Sequence, residues 1–301
     1  MNLVHWSWHP GEWRKRRSSG GHKEGVNSTF IAPAIITIMA KLNANPITGA
    51  DLTTFLNTDS DFAFEMRVLR WLEDNGFCCR HSGTYRDPVT GKLRQFDIRA
   101  EITSGTGTLA LAVECKNLRQ NFPLLISTVP RTDAEAFHSV ILFHRGLSNT
   151  FEVKPVEGIG IYRANQPVGK ATDQVGRDTS GQLLSNDEQT FDKVGQAING
   201  CRDLVETFSH EVSDVQKRLV VPVLVVPTGT LWQVNYDSAG TIATPPKQVQ
   251  HSNLFLDNYW ESISPYGNPI KYRISHLEIV SFDGLSDAVN RWISPHGFFC
   301  C

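Results

Sequence analysis

The chain has 301 residues, 40% of them hydrophobic and 20% charged, which is an ordinary soluble globular composition and enough for one large domain or two modest ones. A formal net charge of −2 gives no global basic field that would announce a nucleic-acid partner, so function has to be read from a site. The six cysteines fall as Cys78–Cys79, Cys115, Cys201 and Cys300–Cys301 without a CxxC knuckle or CaaX box, which reads as reduced cytoplasmic thiols rather than a disulfide framework or a lipidated tail.

Residues 1–38 differ from the rest. HWSWHPGEWRKRRSSGGHK joins tryptophans to the cluster Arg14, Lys15, Arg16 and Arg17, then to a Ser/Gly-rich stretch. Such an arm would touch phosphates while its tryptophans stack on bases. The plainer reading, preferred here, is a solvated, flexible extension ahead of Met39. IAPAIITIMA, 31–40, is too short to span a bilayer and contains a proline. Residues 39–301 read as a single domain with an insertion at about 119–188.

DFAFEMRVLRWLEDNGF, 61–77, is the clearest helix, stopped by Asn75-Gly76. On a helical wheel Phe62, Phe64, Met66, Val68, Leu69, Trp71 and Leu72 form a broad apolar arc, with Glu65 in its middle. A carboxylate buried there alone would lose several kcal/mol or take up a proton. Glu65 therefore either pairs with a structural arginine, caps a backbone group, or reaches another acidic site.

FCCRHSGTY predicts a strand and RDPVTGK a turn. RQFDIRAEITSGTGTLALAVECKN, 94–117, is written as a hairpin. Centring its turn on Gly105–Thr106 pairs Ile102 with Leu109, Ala100 with Leu111, Ile98 with Val113 and Phe96 with Cys115 on one apolar face. The other face sets Asp97 opposite Glu114 and Gln95 opposite Lys116. Like charges directly opposed, roughly 4.5–5.5 Å apart at Cβ, are destabilising. Three things relieve such a pair: a proton, a basic side chain between the two, or a bridging divalent cation. Mg²⁺ takes hard oxygen ligands, so Asp97, Glu114 and the backbone carbonyl of Cys115 would suit it. Strand alternation places Lys116 on the face of Glu114, where an ammonium would orient an attacking water or balance phosphate charge. The Cys115 thiol should point into the core.

Residues 119–188 show no dominant period. PLLIS and SVILFHR read as short buried segments and QPVGKATDQVGRDTSGQ as loop or surface insertion. QTFDKVGQAINGCRDLVETFSHE, 189–211, predicts a helix. RLVVPVLVVP, 218–227, predicts a strand covered on both faces. LWQVNYD and HLEIVSF predict further strands, LSDAVNRW a closing helix, and the aromatics of NLFLDNYWESISPYG core or interface packing. The order implies an α/β fold, one mixed central sheet flanked by helices. His138 and His144 fit no zinc spacing, and no GxSxG, Walker A, HExxH or EF-hand signature occurs.

Glu65 in a first helix, Asp97 after RQF, and ECK at 114–116 ending a hydrophobic strand resemble the PD-(D/E)XK, or restriction-endonuclease-like, nuclease superfamily. YRDPVTGKLRQFDIRA resembles the strand–turn–strand leading to that family's metal-binding aspartate. The resemblance covers residues 60–118 and continues weakly through KVGQAINGCRDLV, where Gln196, and less closely Lys193, match a position near the site. GKATDQVG, with Lys170 and Gln174, has no match. The resemblance implies an αβββαβ core, Mg²⁺ dependence with Mn²⁺ able to substitute, and hydrolytic cleavage of DNA or, less often, RNA; defence or repair would be the setting. It assigns metal binding to Asp97 and Glu114, water positioning to Lys116, and assisting roles to Glu65 and Gln196. It is compatible with a homodimer for double-strand cutting. The family's naming proline is absent, with Phe96 in its place. The alternative is a catalytically inactive nucleic-acid-binding or assembly module on the same fold.

Overall fold

The structure, a computed structural model, describes residues 45–58, 60–87, 90–104, 107–143, 152–157, 161–185, 188–210, 216–263 and 269–293. The chain divides into two units, Met1–Leu52 and Thr53–Cys301. In the first, residues 45–52 open helix α1 (Gly49–Thr58), where the Thr48 hydroxyl and N–H both donate to the Asp51 carboxylate. The basic cluster Arg14–Arg17 lies outside the described residues.

After the last residues of α1, the second unit carries helix α2 (Phe62–Asp74) and strands β1 (Cys78–His81), β2 (Thr84–Arg86), β3 (Leu93–Gln95), β4 (Ile98–Ser104) and β5 (Gly107–Cys115). Then come β6 (Leu124–Pro130), β7 (Phe137–Phe143), β8 (Glu152–Glu157), β9 (Pro167–Arg177) and β10 (Leu183–Ser185). Helix α3 (Glu188–His210) precedes β11 (Gln216–Val226), β12 (Leu231–Tyr236), β13 (Ile242–Gln248), β14 (His251–Ile263), β15 (Pro269–Ser281) and helix α4 (Leu285–Ile293).

Helix α2 buries Phe64, Val68, Leu69 and Leu72, one stripe at helical spacing. Phe62 and Met66 stay exposed, so the apolar arc is narrower than the wheel suggests. Asn75 ends the helix, with Gly76 at positive φ directly after it.

Strands β4 and β5 pair in the expected register, Ile98 with Val113, Ala100 with Leu111 and Ile102 with Leu109. Every residue of β5 is buried. Leu109, Leu111, Val113 and Cys115 pack with α2 and α4, while Ala110 and Ala112 face Cys201, Leu204 and Val205 of α3. The two alanines on that face let α3 lie close to the strand. Strand β11 runs parallel to β5 on one side and to β15 on the other, and its apolar run reflects cover on both faces. Apart from β2 and β3, the described strands form one large mixed sheet in the order β1-β4-β5-β11-β15-β14-β9-β6-β12-β13, with β10 on β9 and the β7–β8 pair on β11 off this path, and with helices on both faces. No described helix is long and apolar enough to cross a membrane.

Two expectations need correction. RQF and DIRA do not form one strand: β3 pairs with β2 in a separate small sheet, with Gln95 opposite Thr84. The chain bends at Phe96–Asp97 because Phe96 turns inward and its N–H bonds the Gly83 carbonyl. Its ring fills the space that a side chain at position 83 would need, since a Cβ there would sit 2.2 Å from it. The Phe96–Cys115 and Gln95–Lys116 pairs therefore do not form. Second, QPVGKATDQVGR is not a surface loop but β9, antiparallel to β6 and parallel to β14. Its inward positions include Gly169, Gln174 and Gly176. Inward residues that small or polar give no apolar alternation to read. Gly169 is required for that packing, because a Cβ would come within 2.6 Å of Leu254.

On β15 the fully buried Glu278 accepts the Tyr162 hydroxyl at 2.5 Å and contacts the His251 ring, whose other nitrogen faces the Arg291 guanidinium at 3.1 Å. These partners satisfy a charge that burial alone would oppose. Its carboxyl is lowered to about 2: burial works against this, but His251, Arg291 and Tyr162 outweigh it.

Candidate functional site

The bend at Phe96–Asp97 turns the Asp97 carboxylate across the end of the hairpin, where Oδ2 accepts the Cys115 N–H at 2.8 Å. Glu114, one residue earlier on β5, points to the α3 face and is 1% exposed. From α3, Lys193 reaches both: its Nζ lies 2.7 Å from Asp97 Oδ2 and 3.0 Å from Glu114 Oε2. The helix is held at that distance by Arg99 of β4, which pairs with Asp203, and by Asn199, which donates to Asp87.

Burial first, then the neighbouring Asp97 charge, pushes the Glu114 carboxyl up to about 8, with Lys193 pulling the other way. Burial would lower the Lys193 ammonium, but Glu114 and Asp97 outweigh it and raise it. Both directions describe one arrangement, an Asp97–Lys193 ion pair beside a Glu114 that keeps its proton until about pH 8. A basic side chain and a proton are thus the two reliefs the chain itself supplies.

That basic side chain is Lys193 rather than Lys116. Strand β5 ends at Cys115, so alternation no longer governs Lys116. The Leu118 N–H folds back onto the Lys116 carbonyl, an i→i+2 turn, and the Lys116 ammonium lies 3.6 Å from Asp61 Oδ2. Asp61 Oδ1 also accepts the Asn117 N–H at 2.8 Å, fixing the chain after the strand to the start of α2.

Glu65 is largely buried and contacts His81 Nε2 at 3.4 Å. Burial and then the Asp97 charge raise its carboxyl, opposed by His81 and Lys193, so it lies within electrostatic reach of the cluster. Gln196 sits one turn after Lys193, half-buried, its carbonyl accepting the Tyr85 hydroxyl at 3.5 Å. Cys115 is wholly buried in the core, as its strand position predicts, and burial raises its thiol well above the ordinary range. The signal for Lys193 was its three-residue spacing from Gln196, which puts both on one helical face. Asp61, just ahead of the helix, is singled out by no sequence pattern.

Among the described residues no group of three or more His, Cys, Asp or Glu side chains stands ready to hold a metal ion. Asp97 and Glu114 are nonetheless two hard oxygen donors of the kind Mg²⁺ takes, with the Cys115 carbonyl next in the chain. The donor set fits a divalent cation provided that the Lys193 contacts and the Glu114 proton are given up in exchange. No family model, curated protein or solved structure matches this chain.

Proposed function

We propose that the chain is a divalent-metal-dependent nuclease that hydrolyses phosphodiester bonds in DNA, built on a restriction-endonuclease-like core. The elements α2, β1, β4, β5, α3 and β11 follow one another in the chain, with β2–β3 and β6–β10 inserted between them, and their sheet order β1-β4-β5-β11 with β5 parallel to β11 supports that core. The observation that carries the reading is the convergence of Asp97, Glu114 and Lys193, from a bend, a strand and a helix, on one buried point.

In this reading Asp97, Glu114 and the Cys115 carbonyl hold Mg²⁺ or Mn²⁺. Bound there, the cation would supply a water of lowered pKa and neutralise phosphate charge. Lys193 is the amine that balances charge at the carboxylates and orients the attacking water. Glu65 tunes the proton balance from α2, and Gln196 borders the site. The arrangement suits phosphodiester hydrolysis, in which positioning and electrostatic stabilisation do most of the catalysis.

The direct test incubates the purified chain with plasmid, linear and single-stranded DNA plus Mg²⁺ or Mn²⁺. Cleavage is expected for the wild type and should vanish in Asp97→Asn and Glu114→Gln. Equal background for all three on every substrate would overturn the proposal.

The contacts of Lys193 with both acids favour one second reading, a non-catalytic nucleic-acid-binding or assembly module in which the ammonium satisfies them permanently. Calorimetric Mn²⁺ titration separates the two. A structural role predicts no binding that Asp97→Asn abolishes.

A further inference from the structure

Past the end of β5 the surface opens into a cleft of about 440 Å³. Its charged lining is Lys116, Arg119 and Arg177 against the single acid Asp61, a positive excess in a chain whose net charge is −2. Asp61 is already engaged by Lys116 and the Asn117 N–H, while Arg177 commits one N–H to the Gly181 carbonyl at 2.9 Å and is otherwise exposed. Cations gathered in a concave polar site raise the local concentration of anions.

The cleft also presents an aromatic ring. Phe122 lies half-buried against Gly176, where a Cβ would come within 2.6 Å of the ring, so the bare glycine backbone is its seat. The Phe122 carbonyl accepts the side-chain amide of the buried Gln174, whose Oε1 takes the Thr190 hydroxyl at 3.1 Å. Thr190 stands one turn before Lys193 on α3. The wall carrying the ring is therefore tied by two hydrogen bonds to the helix that carries the site's amine.

We propose that this cleft is a subsite for one nucleotide unit of a single nucleic-acid strand, its phosphate held by Lys116, Arg119 and Arg177 and its base laid on Phe122. The volume falls within the range of small-ligand sites, and a ring beside cations is how unpaired strands are held without regard to sequence. The inference rests on the nuclease reading for the role of that strand as substrate. It does not need the carboxylates to be active.

The test uses the full chain in EDTA, with anisotropy of a short fluorescent single-stranded oligodeoxynucleotide followed over a salt series. Removing both arginines, Arg119→Ala with Arg177→Ala, should flatten the log–log salt slope by up to about 0.7, the share of one single-strand phosphate contact. Phe122→Leu, which keeps the packing on Gly176, should weaken binding about tenfold with the slope unchanged. An unaltered slope together with unaltered affinity would overturn the subsite. Thymidine monophosphate or inorganic phosphate competing as tightly as the strand would replace it with a small-anion site. Should the wild type never cleave DNA while these binding losses appear, the nuclease reading fails and the subsite stands. Cleavage with unchanged KM in the double arginine variant would sink the subsite alone.

Discussion

The Lys193 ammonium donates to Asp97 Oδ2 at 2.7 Å across 96 positions of sequence, and the same nitrogen reaches Glu114 at 3.0 Å. One cation therefore serves two carboxyl groups in a place where all three side chains are at most 16% exposed. Removing one member of such a buried set leaves charge without a partner, which typically costs about 3–5 kcal/mol. Lys193→Met keeps the stem and deletes the charge. It should be destabilised by about that amount above pH 8, and by less well below it, where Glu114 carries a proton. Guanidinium unfolding of wild type and variant at both pH values measures this, and an equal loss at the two would reject the assignment of the proton.

Glu114 itself sets a pH dependence of definite sign. An unfolded glutamate releases its proton near 4.5, whereas the folded carboxyl keeps it to about 8. The folded state binds the extra proton throughout that window. The contribution to stability is therefore complete below 4.5 and is lost as pH rises through about 8. Glu114→Gln should flatten the decline. The same proton competes with a cation, so Mn²⁺ affinity should climb toward pH 8 with measurable proton release, and a pH-independent affinity would count against Glu114 as a ligand.

Glu278 acts with the opposite sign. Its carboxyl is lowered from 4.5 to about 2, so its contribution is present above pH 4.5 and lost as pH falls toward 2. Glu278→Gln strips the charge from a fully buried network with His251, Tyr162 and Arg291, and should cost about 3–5 kcal/mol at neutral pH. Stability of the variant should change less than that of the wild type between pH 4.5 and 2, as followed by thermal unfolding. Parallel acid curves for the two proteins would remove Glu278 as the cause.

Much of this was legible in the chain because hairpin register is arithmetic. Alternation together with the Gly/Thr turn gave Ile98–Val113, Ala100–Leu111 and Ile102–Leu109, and with them the approach of Asp97 to Glu114. The partner of that pair was harder to read, because alternation holds only while a strand lasts and β5 stops at Cys115. Past that point a backbone turn and Asp61 decide where Lys116 goes. Lys193 comes from a helix whose placement depends on Ala110, Ala112 and the Arg99–Asp203 pair, tertiary facts that no local pattern carries. Strand β9 escaped for a related reason, since Gly169, Gln174 and Gly176 face inward without looking apolar.

The two lysines can be told apart by kinetics once cleavage is observed. Lys193 touches the carboxylates, whereas Lys116 lines the neighbouring cleft and rests on Asp61 at 3.6 Å. A group that acts on the reacting atoms changes kcat, while one that only holds a remote phosphate changes KM. Lys193→Met should therefore lower kcat by about 100-fold or more, the scale of a lost charge-stabilising group. Lys116→Met should raise KM several-fold with kcat near that of the wild type. It should cost no more than about 1 kcal/mol of stability, because its ion pair is partly solvated. A kcat collapse in Lys116→Met with Lys193→Met still active would exchange the two roles, returning the water-positioning amine to the ECK lysine and leaving Lys193 as a structural counter-ion.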